Sequence, residues 1–423
     1  MSLNTQNILA LREQFPALAN CHDGQRVAFF DGPAGTQVHQ SVIESMNRYL
    51  VECNANKGGV FPSSQASDAW MDEAHQAFAD LIGASDPDEI VFGQNMTSLT
   101  FALSRSLART WKSGDEVIVT RLDHDANITP WVTAANDAGV VVRYVDFNPD
   151  NACRLNMEQL RSYLNSKTRL VAVGCASNAT GGINPVADIC SKARDVGALT
   201  FLDAVHYAPH GLMDVKEWGC DFLACSAYKF FGPHLGILWG RRELLEGLEA
   251  YQVRPAPTDI PGKWMTGTQS FESIAGGMAC VDYLADEIGI LSASKPTTRR
   301  EKLQTAFELI NEYEQMLSVR LMEGLRRIDG IRIYGVQDGH EVADRVPTFS
   351  ITHDSIPTPQ LARILGEQGI YVWAGNYYAL QLTEHLGLEP EGMVRIGALH
   401  YNTPDEIDRL LNAVDAAVNA VAT

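Results

Sequence analysis

Short apolar runs alternate with helix-like stretches between about residues 85 and 240. The runs are continuous and rich in Val, Ile and Leu, which is typical of strands buried on both faces of a mostly parallel sheet. Helix-like segments such as 97–111, 156–166 and 185–196 separate the runs. The alternation predicts an α/β domain with right-handed crossovers. The seven candidate strands are 89–95, 115–125, 140–147, 169–177, 199–206, 220–227 and 235–241.

The pattern changes after Gly289, where apolar residues recur every three or four positions over 299–328 and predict one long amphipathic helix. Thr403, Pro404 and Glu406 supply the N-cap, first-turn proline and capping-box glutamate of a last helix. We expect a smaller α+β domain here. It contains candidate strands 331–336, 346–352 and 393–397 and candidate helices near 359–367 and 404–421. We assign 20–290 to the large domain, and 1–19 with 291–423 to the small one.

Composition excludes several classes of protein. The chain has 33 basic and 52 acidic residues, a net charge of -19, which disfavours nucleic acid and anionic membrane surfaces as partners. No apolar run approaches the roughly 18 residues of a spanning helix. The N-terminus does not have the pattern of a signal peptide, so a cytoplasmic location is expected. The eight cysteines form no C-x-x-C pair, which indicates free thiols and no metal site.

Several common catalytic motifs are absent from the sequence. There is no G-x-G-x-x-G after the first strand, so a dinucleotide-binding dehydrogenase is disfavoured. There is also no Walker loop, no H-E-x-x-H and no G-x-S-x-G elbow. Candidate chemistry must therefore be sought at the carboxyl ends of the strands, where open α/β sheets bind ligands.

Two ionisable residues follow neighbouring candidate strands. Asp203 ends L-T-F-L-D, and Lys229 follows C-D-F-L-A-C-S-A-Y. A lysine near a buried carboxylate suits pyridoxal phosphate, which needs an amine for a Schiff base and a carboxylate to keep its pyridine nitrogen protonated. Hydroxyls and a helix N-terminus would supply donors for its phosphate.

The motif S-A-Y-K-F-F-G-P-H-L-G-I-L-W, preceded by F-L-D-A-V-H and followed by G-T-Q, resembles the class V aminotransferase family. Within it, the chain is most similar to the cysteine desulfurase and selenocysteine lyase branch, with isopenicillin N epimerase nearby. The resemblance extends from about Phe29 to Asn402. It implies the aspartate aminotransferase-like fold, pyridoxal 5'-phosphate as cofactor, a small amino acid as substrate and a homodimer.

The resemblance also implies roles for individual residues. Lys229 matches the Schiff-base lysine, Asp203 the partner of the pyridinium nitrogen, and His124 the histidine stacked on the ring. Arg395 matches the arginine that binds the substrate α-carboxylate, and Thr268 the threonine that reaches the phosphate of the partner subunit. The other cofactor-binding positions are His206 and Asn178 near the ring oxygen, and Ser226, Tyr228, Asn95 and Met96 near the phosphate. Since the family's threonines are absent there, backbone N–H groups at the start of helix 97–108 are expected to bind most of the phosphate.

One segment departs from the pattern of cysteine desulfurases, which carry a nucleophilic cysteine on a loop of the small domain. The matching segment is G-I-Y-V-W-A-G-N-Y-Y-A-L, where Tyr378 stands at or next to the cysteine's place and Trp373 replaces a common arginine. We expect both side chains to bind substrate. No cysteine follows Cys280, so a persulfide on this loop is chemically impossible, and Cys53 remains the alternative sulfur acceptor.

Three functions stay open at this point. The first is a lyase that acts through an external aldimine and removes selenium or sulfite from selenocysteine or cysteine sulfinate without a protein thiol. The second is an aminotransferase or epimerase of another amino acid. The third is a binding protein that keeps the fold and has little activity.

Overall fold

The computed structural model describes residues 3–292 and 295–422. Seven strands form the large sheet, in the order β1-β7-β6-β5-β4-β2-β3. Strand β7 is antiparallel to both of its neighbours, while the pairs from β6 to β3 are parallel. The strands are β1 Ile90–Gly93, β2 Glu116–Thr120, β3 Val141–Val145, β4 Thr168–Gly174, β5 Leu199–Asp203, β6 Phe222–Ser226 and β7 Gly236–Gly240. The predicted mostly parallel seven-stranded sheet is therefore confirmed.

Helices cover both faces of this sheet, as the continuous apolar strands require. Those before or within the sheet region are α1 Thr5–Arg12, α2 Gln40–Glu52, α3 Pro62–Ile82, α4 Met96–Ala108, α5 Thr129–Asp137, α6 Met157–Tyr163, α7 Val186–Asp195, α8 Val215–Trp218 and α9 Arg242–Gly247. The helix α10, Phe271–Tyr283, packs on α2 and α3. The sequence pattern did not predict α2, α3 or α10, although all three are well formed.

A second sheet of four antiparallel strands lies in the C-terminal part, in the order β8-β9-β11-β10. Its strands are β8 Ile331–Tyr334, β9 Thr348–His353, β10 Trp373–Gly375 and β11 Met393–Gly397. The helices there are α11 Arg299–Leu325, α12 Thr358–Gly366, α13 Leu380–His385 and α14 Pro404–Ala422. The capping box predicted for α14 is present, since Glu406 N donates to Thr403 Oγ1 and Thr403 N to a Glu406 carboxylate oxygen.

The two sheets share one hydrophobic core. Buried residues from α1, α3, β5, α11 and α14 belong to a single continuous cluster. Short parallel pairing of Ala28–Phe29 with Ile370–Tyr371 also joins the early chain to the C-terminal part. The division of the chain at residues 19 and 290 stays a prediction. What matters for function is that this packing brings β10 and β11 over one edge of the large sheet.

Within the described ranges, no helix is long and apolar enough to cross a bilayer. In the same ranges, no three His, Cys, Asp or Glu side chains are grouped so that they could hold a metal ion.

Candidate active site

A cavity of about 1170 Å³ lies where strands of the large sheet end and β10 and β11 approach them. Parallel α/β sheets bind ligands at this edge because loops there diverge and leave a crevice. Every candidate residue from the sequence except Thr268 contributes to its wall. Those residues are Asn95, Met96, His124, Asn178, Asp203, His206, Ser226, Tyr228, Lys229, Trp373, Tyr378 and Arg395.

Lys229 follows β6 and its amine reaches across the cavity. The Nζ atom donates to the carbonyl oxygens of Pro33 and Ala34, with 3.1 Å to the second. Burial, with a smaller contribution from Arg395, lowers the pKa of Lys229 to about 7, and Asp203 partly opposes this shift. A large share of the amine is therefore neutral at neutral pH, which both a nucleophile and a general base require.

Asp203 ends β5 and is buried at the floor of the cavity. Its Oδ1 accepts a hydrogen bond from Val205 N at 2.9 Å. Burial raises the pKa of Asp203 to about 6, against the opposing effects of that hydrogen bond and of Lys229. A buried carboxylate of this kind is suited to pairing with a protonated ring nitrogen.

The N-terminus of α4 forms one end of the cavity. Asn95 caps the helix through its Oδ1, which accepts from Ser98 N at 2.9 Å, and Met96 N donates to Ser226 Oγ at 3.0 Å. The loop lies against Gly236, where a Cβ atom would come within 2.4 Å of the Asn95 carbonyl carbon. Only glycine allows this approach. The helix end, the Ser226 hydroxyl and Tyr228 together suit a phosphate group.

Three polar side chains surround the space between Lys229 and the α4 end. His124 accepts from Ala126 N through Nδ1 at 3.0 Å, and burial lowers its pKa to about 4. His206 Nε2 and Asn178 Oδ1 are buried and have no hydrogen-bond partner within the protein. Buried polar atoms are rarely left unpaired. Their presence here fits an aromatic group with polar substituents, so the residues present are suited to pyridoxal phosphate.

Arg395 on β11 supplies positive charge to the opposite wall. Its Nη1 donates to Asn178 O at 2.9 Å, and its guanidinium lies 4.2 Å from the ring centroid of Tyr377. Burial lowers the pKa of Arg395 to about 10, which leaves it charged at neutral pH. A guanidinium held this way can present its remaining N–H groups to a carboxylate.

The segment from β10 to Tyr378 covers the mouth of the cavity. Trp373 and Tyr378 are 52% and 72% exposed, and the Tyr378 ring stacks on His124 with centroids 5.4 Å apart. Asp125 N donates to Tyr378 O at 2.7 Å. Tyr377 and Tyr378 both have positive φ angles, 56° and 59°. Such a conformation is uncommon outside glycine and is typical of functional segments.

Thr268 lies away from this cavity, in an exposed stretch before α10. The role implied for it requires a second subunit, so it stays a prediction. All seven cysteines other than Cys21 are buried, and none lines the cavity. Cys53 is only 2% exposed and burial raises the pKa of its thiol, so it is poorly placed to accept sulfur.

Two residues of the cavity wall, Asp123 and Tyr377, received no role from the sequence. Asp123 precedes His124 and is buried in the wall, where its carboxylate accepts from Gly174 N and Asn127 Nδ2. Its position after β2 was a signal, but nothing separated it from an ordinary turn residue. Tyr377 had no such signal, because its place depends on the left-handed backbone of its loop.

Comparisons with known proteins show the family of the chain. The model of the family described as "Aminotransferase class-V" matches residues 28–306 and 301–410. An aminotransferase-like protein of Gibberella zeae is 33% identical over 98% of this chain and 99% of its own length. A cysteine desulfurase of Pectobacterium carotovorum subsp. carotovorum is 31% identical over 95% of both chains.

A solved structure of a cysteine desulfurase has a similar fold. The apo structure of a cysteine desulfurase from Thermococcus onnurineus superposes with a TM-score of 0.86 at 25% identity, covering 97% of this chain and 98% of its own. Members of the matched family use pyridoxal phosphate and are generally homodimers that act on amino acids. This chain belongs to the class V aminotransferase family and is a pyridoxal-phosphate-dependent enzyme.

Proposed function

We propose that this chain is a cysteine desulfurase-like lyase that releases the β-substituent of a small amino acid, of the cysteine sulfinate or selenocysteine type, without a protein persulfide. The observation that carries the proposal is the absence of a thiol from the residues that line the cavity. The resemblance to cysteine desulfurases puts Tyr378 at or next to the place of their loop cysteine. A substrate whose β-substituent leaves directly needs no thiol acceptor.

The cofactor would be held by groups at both ends of the cavity. The α4 end, Ser226 and Tyr228 would bind the phosphate, and Asp203 would pair with the ring nitrogen. His206 and Asn178 would lie beside the ring oxygen, and His124 would cover the ring. When bound, pyridoxal phosphate supplies an electron sink that stabilises negative charge at the substrate α-carbon.

The chain's own residues bind the substrate and move its proton. Arg395 binds the α-carboxylate and so orients the α-carbon toward Lys229. Lys229 Nζ takes up the α-proton, for which an amine with a pKa of about 7 is well matched. The Tyr378 ring covers His124 and limits access of water from the mouth. Thr268 would complete the phosphate site from a partner subunit in a homodimer.

A second candidate is an aminotransferase or epimerase of another amino acid. It is favoured by the aminotransferase-like relative, which is 33% identical to this chain. In this case Lys229 would return the proton to a different atom or face.

A screen of amino acids by change in cofactor absorbance separates the candidates. We expect cysteine sulfinate to yield alanine and sulfite, or selenocysteine to yield alanine and elemental selenium, with no requirement for any of the eight cysteines. Accumulation of the pyridoxamine form would instead establish the aminotransferase. Thiol-dependent sulfide release from cysteine that is abolished by changing one cysteine would refute the proposal.

A further inference from the structure

A group of buried ionisable side chains extends from the cavity wall into the protein, and His206 is the one member that has a role in the steps above. We call it the buried polar cluster. Of its members, only His206 lines the cavity. The cluster consists of His206 and His210 after β5, Tyr283 in α10, Glu314 in α11 and His400 after β11.

At the centre of the cluster is a histidine–carboxylate pair. His210 Nδ1 lies 2.7 Å from Glu314 Oε2, and the two side chains are 4% and 3% exposed. The His210 ring meets the His206 ring edge-on, with centroids 5.6 Å apart. The pair therefore presents its imidazole, and not its carboxylate, to the cavity-lining histidine.

The far side of the cluster connects to other elements. The Tyr283 hydroxyl lies 2.6 Å from His400 Nε2, and the His39 ring stacks on Tyr283 with centroids 4.0 Å apart. His400 follows the strand that carries Arg395. The cluster thus connects the Asp203–His206 loop, the long helix α11 and the loop after β11.

Three buried atoms of the cluster have no hydrogen-bond partner in the protein: His206 Nε2, Glu314 Oε1 and His400 Nδ1. A cluster that served only packing would be expected to satisfy such atoms, because an unpaired buried polar group is destabilising by about 1–3 kcal/mol. Of the three, His206 Nε2 belongs to a residue of the cavity wall, where a bound group can pair with it.

The charged groups around His206 all lower the pKa of its side chain. Burial and then His210 move the pKa of His206 well below its ordinary value, and Arg395, Lys229 and His124 add to this from the cavity side. Burial raises the pKa of Glu314, and His210 opposes that shift. Burial also lowers the pKa of His400 to about 3, with His39 and His210 contributing. His400 and His206 are therefore neutral at neutral pH, whereas His210 is the cluster histidine that contacts a carboxylate, that of Glu314.

We propose that His210 and Glu314 form a positioning pair that is ionised in the folded enzyme and places the imidazolium of His210 next to His206. The pair keeps His206 neutral and thereby lowers the proton affinity of the cofactor site. The inference rests on the proposed function, because it assumes that His206 lies beside the bound cofactor. An ion pair has this effect when its positive member is the nearer one, since the field of a buried pair is poorly screened.

The test is a pH titration of the visible absorbance of the protein loaded with pyridoxal phosphate. We expect His210→Gln and Glu314→Gln each to raise the apparent pKa of the visible band by about half a unit, since loss of a nearby charge shifts a pKa by this order. The double variant should show the same shift as either single variant, because each substitution alone removes the whole pair.

Controls separate this role from simple stabilisation. Glu406→Gln breaks the Arg12–Glu406 pair, which is also largely buried at 2.7 Å and does not line the cavity. It should lower the melting temperature and leave the titration unchanged. Glu314→Asp, which keeps the charge, should restore a titration close to that of the wild type.

If the His210→Gln and Glu314→Gln variants fold and their visible band titrates as in the wild type, the pair has no such role. The same shift of the apparent pKa in Glu406→Gln would also overturn the proposal. If neither variant folds, ¹⁵N imidazole shifts of the wild-type protein decide: a protonated His210 beside a neutral His206 at pH 7 is expected, and a neutral His210 overturns the proposal. A wild-type protein that binds no pyridoxal phosphate would refute the proposed function itself, which is a distinguishable result.

Discussion

The two walls of the cavity differ in the burial of their side chains and in the regularity of their backbone. The wall at the ends of the large sheet contains buried side chains, such as Asp203 and Ser226, that are the last residues of strands paired on both sides. The wall formed by β10 and the residues after it contains the exposed Trp373 and Tyr378, and part of it has left-handed backbone. The difference suggests a fixed cofactor half, which determines the chemistry, and an adaptable substrate half, which determines selectivity.

The largest expected effect lies in the cofactor half. Lys229→Ala should abolish the visible absorbance of added pyridoxal phosphate and reduce turnover by about a thousandfold or more, because both the amine and the proton acceptor are lost. Spectra and steady-state rates measure this. Lys192→Ala, which breaks only a pair on the surface of α7, serves as the matched control and should behave as the wild type.

A second prediction concerns how Asp203 affects stability. Its folded pKa of about 6 lies above the unfolded value near 3.9, so the folded carboxyl binds more protons between these values. The free energy of unfolding of the cofactor-free protein should therefore fall as pH rises from about 4 to 6. Asp203→Asn cannot ionise, so the variant should avoid about 1–3 kcal/mol of this decrease.

Melting temperatures of the cofactor-free proteins at pH 4.5 and pH 8 measure this prediction. The Asp203→Asn variant should be the more stable one at pH 8, the difference should fade at pH 4.5, and cofactor affinity should fall. Equal stability at pH 8 with unchanged cofactor affinity would show that the buried carboxylate has no such role.

The smallest effect is expected in the substrate half. Tyr378→Phe keeps the ring on His124, so kcat/KM should fall less than about tenfold, while Tyr378→Ala also loses a ring contact worth about 0.5–1.5 kcal/mol. Cofactor spectra should not change in either variant. Tyr371→Phe is the control, since that exposed ring packs on Phe29 outside the cavity. A loss of a hundredfold or more in Tyr378→Phe would place the hydroxyl in the chemistry.

The same contrast explains what the sequence could predict. The seven strands were predictable because burial on both faces demands continuous apolar runs, and their polar ends identified Asp203 and Lys229. Helix α2 begins after His39, which is not a common N-cap residue, and α3 has a proline in its first turn but no side-chain cap from Phe61. Strand β10 has only three residues, and nothing in the sequence encodes the positive φ of Tyr377. Long-range packing determines that part of the site.

The central claim is that Lys229 is the residue that bonds the cofactor. Borohydride reduction of the protein with added pyridoxal phosphate, followed by peptide mass mapping, tests it most directly. We expect one cofactor per chain, fixed to the peptide that contains Lys229. Stoichiometric labelling of another lysine, with the Lys229 peptide unmodified, would contradict the account.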